Sequence, residues 1–205
     1  FKTTPNLIGV EKSIGDTIPP APALAEQDRV AMADLLLDPD GRIRRALIAS
    51  YTKDGQMKLG LATKLALMYL QEKNISLENI ANTDRQKLGK AVFSPITGKD
   101  GGYANIDWGG YQVFLNFRGS GKNFNIVSSS DVLAGKVPTH LLHDRIVLIG
   151  SVAPSLNDYF YTPLSNRSEK SIDRMAGVVV HANITSQIVS AALDGRPIIQ
   201  TIAEP

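Results

Sequence analysis

The sequence contains no cysteine among its 205 residues. This absence excludes disulfide bonds, Cys-ligated zinc sites and iron–sulfur centres, and it leaves the compartment open. Long apolar runs are missing too, since none approaches the roughly 20 residues that a membrane-spanning helix needs. Charge of one sign is not in excess, because 22 Lys and Arg face 20 Asp and Glu, a formal net charge of +2. Composition therefore does not favour a nucleic acid as partner.

Motifs for nucleophilic and phosphate chemistry are also missing. No G-x-S-x-G nucleophile elbow is present, and the three histidines have no obvious serine or aspartate companions. The loop at residues 150–155 lacks the further glycines and the Gly-Lys-Ser/Thr triplet of a phosphate-binding loop. We therefore expect no catalytic residues, no cofactor and no enzymatic activity.

The apolar pattern predicts one domain, residues 1–205, of the α/β class. Residues 145–149 form a β-branched run that is typical of a strand buried on both faces of a parallel sheet. Helical spacing predicts helices at residues 59–73 and 178–193, and Gly195 is positioned to end the second. We expect a mixed, mainly parallel sheet flanked by helices.

A β-hairpin is predicted in the N-terminal part. The sequence Asp-Pro-Asp-Gly at residues 38–41 places proline and glycine where a tight reversal needs them. Residues 30–37 and 43–50 on either side are the predicted strands.

A polar loop follows the predicted strand at residues 145–149 and is the first place to expect a ligand. Open α/β sheets bind ligands at the carboxyl ends of their strands. The loop carries Asp158 and Tyr159, and the helix after it carries His181 and Asn183. Asp158, His181 and Asp173 also offer the carboxylate and imidazole groups of a metal site, although such residues more often make structural hydrogen bonds.

Arginines provide more distant candidates for ligand binding. Three of them cluster beside the predicted turn: Arg42, Arg44 and Arg45. They either hold an anionic ligand or pair with Asp38 and Asp40. Arg118 follows another predicted strand, at residues 111–117. Trp108, the single tryptophan, is expected to pack in the core or at an edge.

The order of these segments resembles the type-two CHASE domain, the cyclases/histidine kinases associated sensory extracellular domain. Each motif is weak alone, but together they span residues 18–197 in the family's order. The matching segments are residues 38–41 with Arg44 and Arg45, 61–70, 115–119, 130–135, 144–150, Asp158 with 162–164, and 175–182 with the helix to Gly195.

The resemblance implies an extracytoplasmic sensor of a bacterial cell-membrane protein, either periplasmic or extracellular. Such domains lie beside transmembrane helices and relay a stimulus to a cytoplasmic histidine kinase, nucleotide cyclase or Ser/Thr kinase. The stimulus is an unknown small molecule or another extracellular signal, and a homodimer is a further expected partner. Members usually carry an additional N-terminal α/β portion that would precede Phe1, so we expect a fragment of a longer protein.

No active site transfers from this resemblance. The residues expected to bind ligand rest on position and chemistry: Asp158, Tyr159, His181, Asn183, Arg44 and Arg118. Two alternatives stay open at this point. One is a small-molecule α/β enzyme that uses Asp158 and His181, and the other is an interaction module that docks a partner on residues 159–175.

Overall fold

The computed structural model describes residues 3–201 except 53, 99, 104–105, 108, 166 and 169–170, so Trp108 lies outside the described residues. The helices are α1 (Pro22–Ala25), α2 (Leu61–Gln71), α3 (Ser129–Leu133) and α4 (Gly177–Asp194). The strands are β1 (Gly9–Glu11), β2 (Val30–Met32), β3 (Arg45–Tyr51), β4 (Met57–Leu59), β5 (Leu77–Asn79), β6 (Gln86–Leu88), β7 (Ala91–Phe93), β8 (Tyr111–Phe114), β9 (Tyr159–Phe160), β10 (Arg167–Ser168), β11 (Ser171–Ile172) and β12 (Met175–Ala176).

The strands form small sheets, most of them antiparallel. One sheet has the order β4–β3–β8 and another the order β5–β6–β7, and every pair in both is antiparallel. β9 pairs antiparallel with β12 and β10 with β11, whereas β1 and β2 are parallel. The predicted mixed α/β class is confirmed, but the predicted mainly parallel sheet is wrong. Short links such as residues 52–56 between β3 and β4 cannot make the crossover of about a dozen residues that parallel strands require.

The reversal at residues 38–41 is present, but the strands predicted on either side of it do not pair as a hairpin. The Gly41 amide donates to the Asp38 carbonyl, and one antiparallel bridge joins Leu36 to Arg45. Beyond that bridge, β2 pairs with β1, and β3 pairs with β4 and β8. The N-terminal hairpin is instead β3–β4, whose turn includes Gly55 at a φ of 77°.

Helix α4 lies at the centre of the core, and its prediction at residues 178–193 is confirmed. Val180 on its buried face is fully enclosed, and Gly195 ends the helix in the left-handed conformation at a φ of 72°. Helix α2, predicted at residues 59–73, packs against α4 and buries Leu70 completely. The two helices therefore form one apolar layer that the small sheets cover.

Residues 145–149 do not form the predicted strand buried on both faces. The segment is not assigned to any strand, and exposure alternates along it. Ile146 and Leu148 are half-buried and line a cavity against α4, whereas Val147 is 49% exposed and Ile149 is 90% exposed. The predicted strand is therefore wrong, because the described residues cover only one of the two faces of this apolar run.

Candidate functional site

Asn183, a predicted ligand contact, is completely buried on α4 and occupied by backbone groups. Its Oδ1 accepts hydrogen bonds from the amides of Arg118, at 2.8 Å, and Gly119, at 3.2 Å. Its Nδ2 donates to the carbonyls of Gly119 and Val179, at 3.1 and 3.0 Å. This side chain therefore fixes the segment after β8 to the helix.

Gln187 makes the same kind of contact one helical turn further along α4. Its Oε1 accepts from the Asn116 amide at 2.7 Å, and its Nε2 donates to the Phe114 carbonyl at 2.9 Å. Asn183 and Gln187 together make hydrogen bonds to the backbone at and after the end of β8, as a neighbouring strand would. The sequence analysis missed Gln187, although its spacing of four residues from Asn183 puts both amides on one helix face.

His181 lies on α4 with only 7% of its surface exposed. Burial lowers the pKa of its imidazole from 6.5 to about 4, against the opposing effects of a hydrogen bond with the Ala33 backbone and of the Asp34 carboxylate. Its Nδ1 is buried and has no hydrogen-bond partner within the described part of the chain. His181 is therefore neutral at pH 7 and links α4 to the segment after β2.

Asp34 anchors that segment in turn. Its carboxylate accepts hydrogen bonds from the backbone amides of Ser13 and Ile14, each at 2.8 Å. A line of polar contacts thus runs from the loop after β1, through Asp34, to His181 on α4.

Asp158 and Tyr159 lie together at the beginning of α4. The Asp158 carbonyl accepts from the Gly177 amide at 3.0 Å, and a β-carbon at position 177 would overlap the Asp158 carboxylate. Partial burial raises the pKa of this carboxyl group. Tyr159 pairs with Ala176 in the β9–β12 ladder, and its hydroxyl donates to the Val152 carbonyl at 2.6 Å. A carboxylate beside a helix N-terminus is favourably placed against the helix dipole.

Asp158, His181 and Asp173, the less favoured alternative of a metal site, are not gathered into one. No group of three His, Asp or Glu residues within the described ranges is arranged to hold a metal ion. His181 faces Ala33 and Asp34, whereas Asp158 faces Gly177. His181 belongs to α4 and Asp158 lies beside the first residue of that helix, but the two side chains interact with different segments.

Arg44 belongs to a cluster that we call the turn cluster. Its members are Asp38, Asp40, Tyr103, Gln112, Arg44 and Arg45. Arg44 donates from Nη1 to Asp38 at 2.8 Å and from Nη2 to Asp40 at 2.6 Å, which raises the pKa of its guanidinium. Of the two alternatives for these arginines, pairing with the aspartates is therefore the one present.

The buried half of the turn cluster is held by Arg45, which is 3% exposed. It donates from Nε to Asp38 at 2.7 Å and from Nη1 to Gln112 Oε1 at 2.5 Å. The Tyr103 hydroxyl also donates to Asp38, at 2.9 Å. Two guanidinium groups and two carboxylates thus neutralise each other inside the cluster.

Arg118 lies far along the chain from the turn cluster and in a different setting. Its Nε donates to the Ser186 hydroxyl on the outer face of α4. Arg196 lies near it and donates from Nη2 to the carbonyls of Asn116 and Phe117, at 2.9 and 3.1 Å. Burial, and then the charge of Arg118, lower the pKa of Arg196.

The family model of the CHASE2 domain matches residues 1–205, the whole chain. The chain belongs to the CHASE2 family. CHASE2 domains are extracellular sensory domains of signalling receptors, which confirms the resemblance given by the ordered motifs. No curated protein and no solved structure matches the sequence. Within the described residues, this CHASE2 domain has no helix of the length and apolar character that crossing a membrane requires.

Proposed function

We propose that this CHASE2 domain is the extracytoplasmic sensor of a membrane-bound receptor. It responds to a small molecule or another extracellular stimulus and relays the response, through flanking transmembrane helices, to a cytoplasmic histidine kinase, nucleotide cyclase or Ser/Thr kinase. The observation that carries the proposal is the match of the CHASE2 family over the whole chain. In this role the domain has no catalytic step and no cofactor.

The contacts of α4 support a relay. Asp158 contacts its first residue, His181 links it to the segment after β2, and Asn183 and Gln187 hold the segment after β8. A displacement of α4 therefore alters contacts in several regions at once. A stimulus shifts such a domain only if it binds the two arrangements with different affinity.

Asp158 and Tyr159 are the proposed recognition or switching residues at the start of α4, and His181 and Asn183 connect them to the core. Arg44 and Arg118 remain proposed ligand contacts at two other places. Turnover by Asp158 and His181 has no comparable support, because His181 is buried against Ala33 and Asp34. Within the described residues of 159–175, no specific contact favours the docking of a partner.

The location is tested by labelling with a membrane-impermeant maleimide in intact cells. The chain has no cysteine, so Ser155→Cys at an exposed position introduces a single thiol into it. We expect labelling of this variant in intact cells, and no labelling of Ala191→Cys, whose position is completely buried. Labelling of the Ser155 variant only after lysis would contradict an extracytoplasmic location.

The relay is tested in the intact receptor by measuring its output activity. Asp158→Asn removes a partly buried negative charge beside α4, so we expect the output to change. Asp54→Asn removes an exposed carboxylate in the turn between β3 and β4, away from both α4 and the cavities described below, and is the matched control. Equal outputs from both variants and the unaltered receptor would argue against Asp158 as a switch.

Light scattering of the purified receptor tests the proposed homodimer, and a monomer mass would refute it.

A further inference from the structure

Two surface cavities of this domain lie next to an arginine. One of these arginines is paired with carboxylates, and the other makes no ion pair among the described residues. The first cavity, of about 310 Å³, is lined by Arg44, Tyr103 and Phe114. Arg44 is already neutralised there by Asp38 and Asp40. The second cavity, of about 230 Å³, lies between the outer face of α4 and residues 144–148, with Arg118 beside it.

We propose that the second cavity binds a small molecule that has an apolar body and one oxyanion group, a carboxylate or a phosphate, held by Arg118. The proposal rests on the sensory role above and names the chemistry of the stimulus. We call this cavity the α4 cavity.

The walls of the α4 cavity suit an apolar body of modest size. Tyr69, Phe124 and Val189 supply aromatic and aliphatic surface, and Ile146 and Leu148 form the opposite side. Ligand sites are typically apolar with a few polar groups that fix orientation. The polar residues that α4 contributes to the lining are Thr185, whose hydroxyl donates to the His181 carbonyl at 2.8 Å, and Ser186.

Arg118 does not itself line this cavity, but its Nε donates to the hydroxyl of Ser186, which is one of the lining residues. Because that bond uses only Nε, both terminal nitrogens of the guanidinium stay without a partner among the residues described. A guanidinium fork with free terminal N–H groups matches the two oxygens of a carboxylate or phosphate. Arg145 is the cation that lines the cavity directly, and Asp144 beside it contacts His143 Nδ1 through its carboxylate at 3.0 Å.

Arg196 reinforces the positive charge behind Arg118. The two cations are close enough to interact, and in the described structure neither makes an ion pair with a carboxylate. Nη1 of Arg196 is buried and has no hydrogen-bond partner there. Like charges held together are unfavourable, and an oxyanion bound to Arg118 relieves this repulsion.

Binding is measured by titration calorimetry on the 205-residue chain at constant ionic strength. The probes are benzoate and phenyl phosphate, with benzyl alcohol as the aromatic compound that lacks an oxyanion and inorganic phosphate as the oxyanion that lacks an apolar body. We expect saturable binding of at least one aromatic oxyanion, with affinity about tenfold or more above both comparison compounds. The preference between benzoate and phenyl phosphate identifies the oxyanion.

Arg118→Gln should lower the binding affinity for the aromatic oxyanion by about tenfold or more, because it removes a charged hydrogen bond. Lys136→Gln removes an exposed cation elsewhere and should leave the affinity unchanged. Val189→Phe fills the α4 cavity and should weaken the binding of the aromatic compounds both with and without an oxyanion. This variant tests the site if the Arg118 variant does not fold. Absence of saturable binding, or equal affinity in the Arg118 and Lys136 variants, overturns the proposal. Neither result affects the maleimide experiment, so failure of this site and failure of the sensory role are distinguishable.

Discussion

The buried polar groups of the turn cluster differ sharply from two of those near α4, His181 and Arg196. In the turn cluster, Asp38 accepts from Arg44, Arg45 and Tyr103, so its charge is compensated and its oxygens are occupied. Near α4, His181 Nδ1 and Arg196 Nη1 are buried without a hydrogen-bond partner in the described part of the chain. Paired groups of the first kind stabilise one structure, whereas unpaired groups of the second kind respond to protons or anions. The comparison separates a region that holds the fold from one that is sensitive to its surroundings.

The largest expected effect comes from breaking the paired region. Asp38→Ala leaves Arg45 buried without its carboxylate, and loss of one partner of a buried ion pair costs about 3–5 kcal/mol in free energy of unfolding. Chemical denaturation followed by circular dichroism measures this loss. Asp40→Ala is the matched control, because the side chain of Asp40 is 49% exposed. Similar denaturation midpoints for the two variants would show that the buried pair is not what stabilises the turn.

The buried histidine on α4 should make stability depend on pH. The pKa of His181 is lowered by burial from 6.5 to about 4, so between these values the unfolded chain binds more protons than the folded one. Stability therefore falls as pH drops from 6.5 to 4, and the full loss from this group is about 3 kcal/mol.

Denaturation curves at several pH values measure that loss, and the two variants to compare are His181→Gln and His140→Gln. The His181 variant should lose stability less steeply over this pH range, whereas His140 is exposed and its variant should follow the unaltered domain. Parallel curves for all three proteins would show that the buried imidazole does not contribute.

The amide contacts of α4 should have an intermediate effect. Gln187→Leu leaves the Asn116 amide and the Phe114 carbonyl without partners, at a cost of about 1–3 kcal/mol. Hydrogen exchange should also become faster at Asn116. Gln71→Leu changes an exposed glutamine at the end of α2 and serves as the control. Unaltered exchange at Asn116 would contradict the role assigned to Gln187.

The smallest expected effect comes from removing one of several partners in the paired region. Tyr103→Phe deletes the hydroxyl that donates to Asp38 but keeps both arginines, so we expect a loss of about 1 kcal/mol. Tyr51→Phe, at a side chain that is 67% exposed, should change nothing measurable. A loss as large as that of Asp38→Ala would mean that the arginines do not compensate Asp38 as the geometry indicates.

Local signals in the sequence predicted some elements well. The apolar spacing and Gly195 located α4, and Asp-Pro-Asp-Gly located the reversal at residues 38–41. The prediction for residues 145–149 was wrong because it was based on apolar composition, which favours a buried strand. Which strand a segment pairs with, and in which direction, depends on tertiary contacts. The parallel sheet inferred from it was wrong for the same reason.

The candidate site was less predictable, because its contacts join residues that are distant in sequence. Asn183 was chosen for its position near a helix start, but its partner Arg118 lies 65 residues away. The pairing of Arg44 with Asp40 was foreseeable, since the two are only four residues apart. The Ala33 backbone beside His181 had no signal in the sequence. The choice of ligand contacts stays a prediction for all six residues: Asp158, Tyr159, His181, Asn183, Arg44 and Arg118.

The exposed face of residues 145–149 sets how the purified domain behaves in concentrated solution. Residues 146–149 carry no charge, and their exposed side chains, Val147 and Ile149, resemble those of the unprotected sheet edges that seed intermolecular β-pairing. Aggregation of this domain should therefore begin at these two side chains rather than at its core. A lysine at position 149 would act as a gatekeeper there without touching the face that packs on α4.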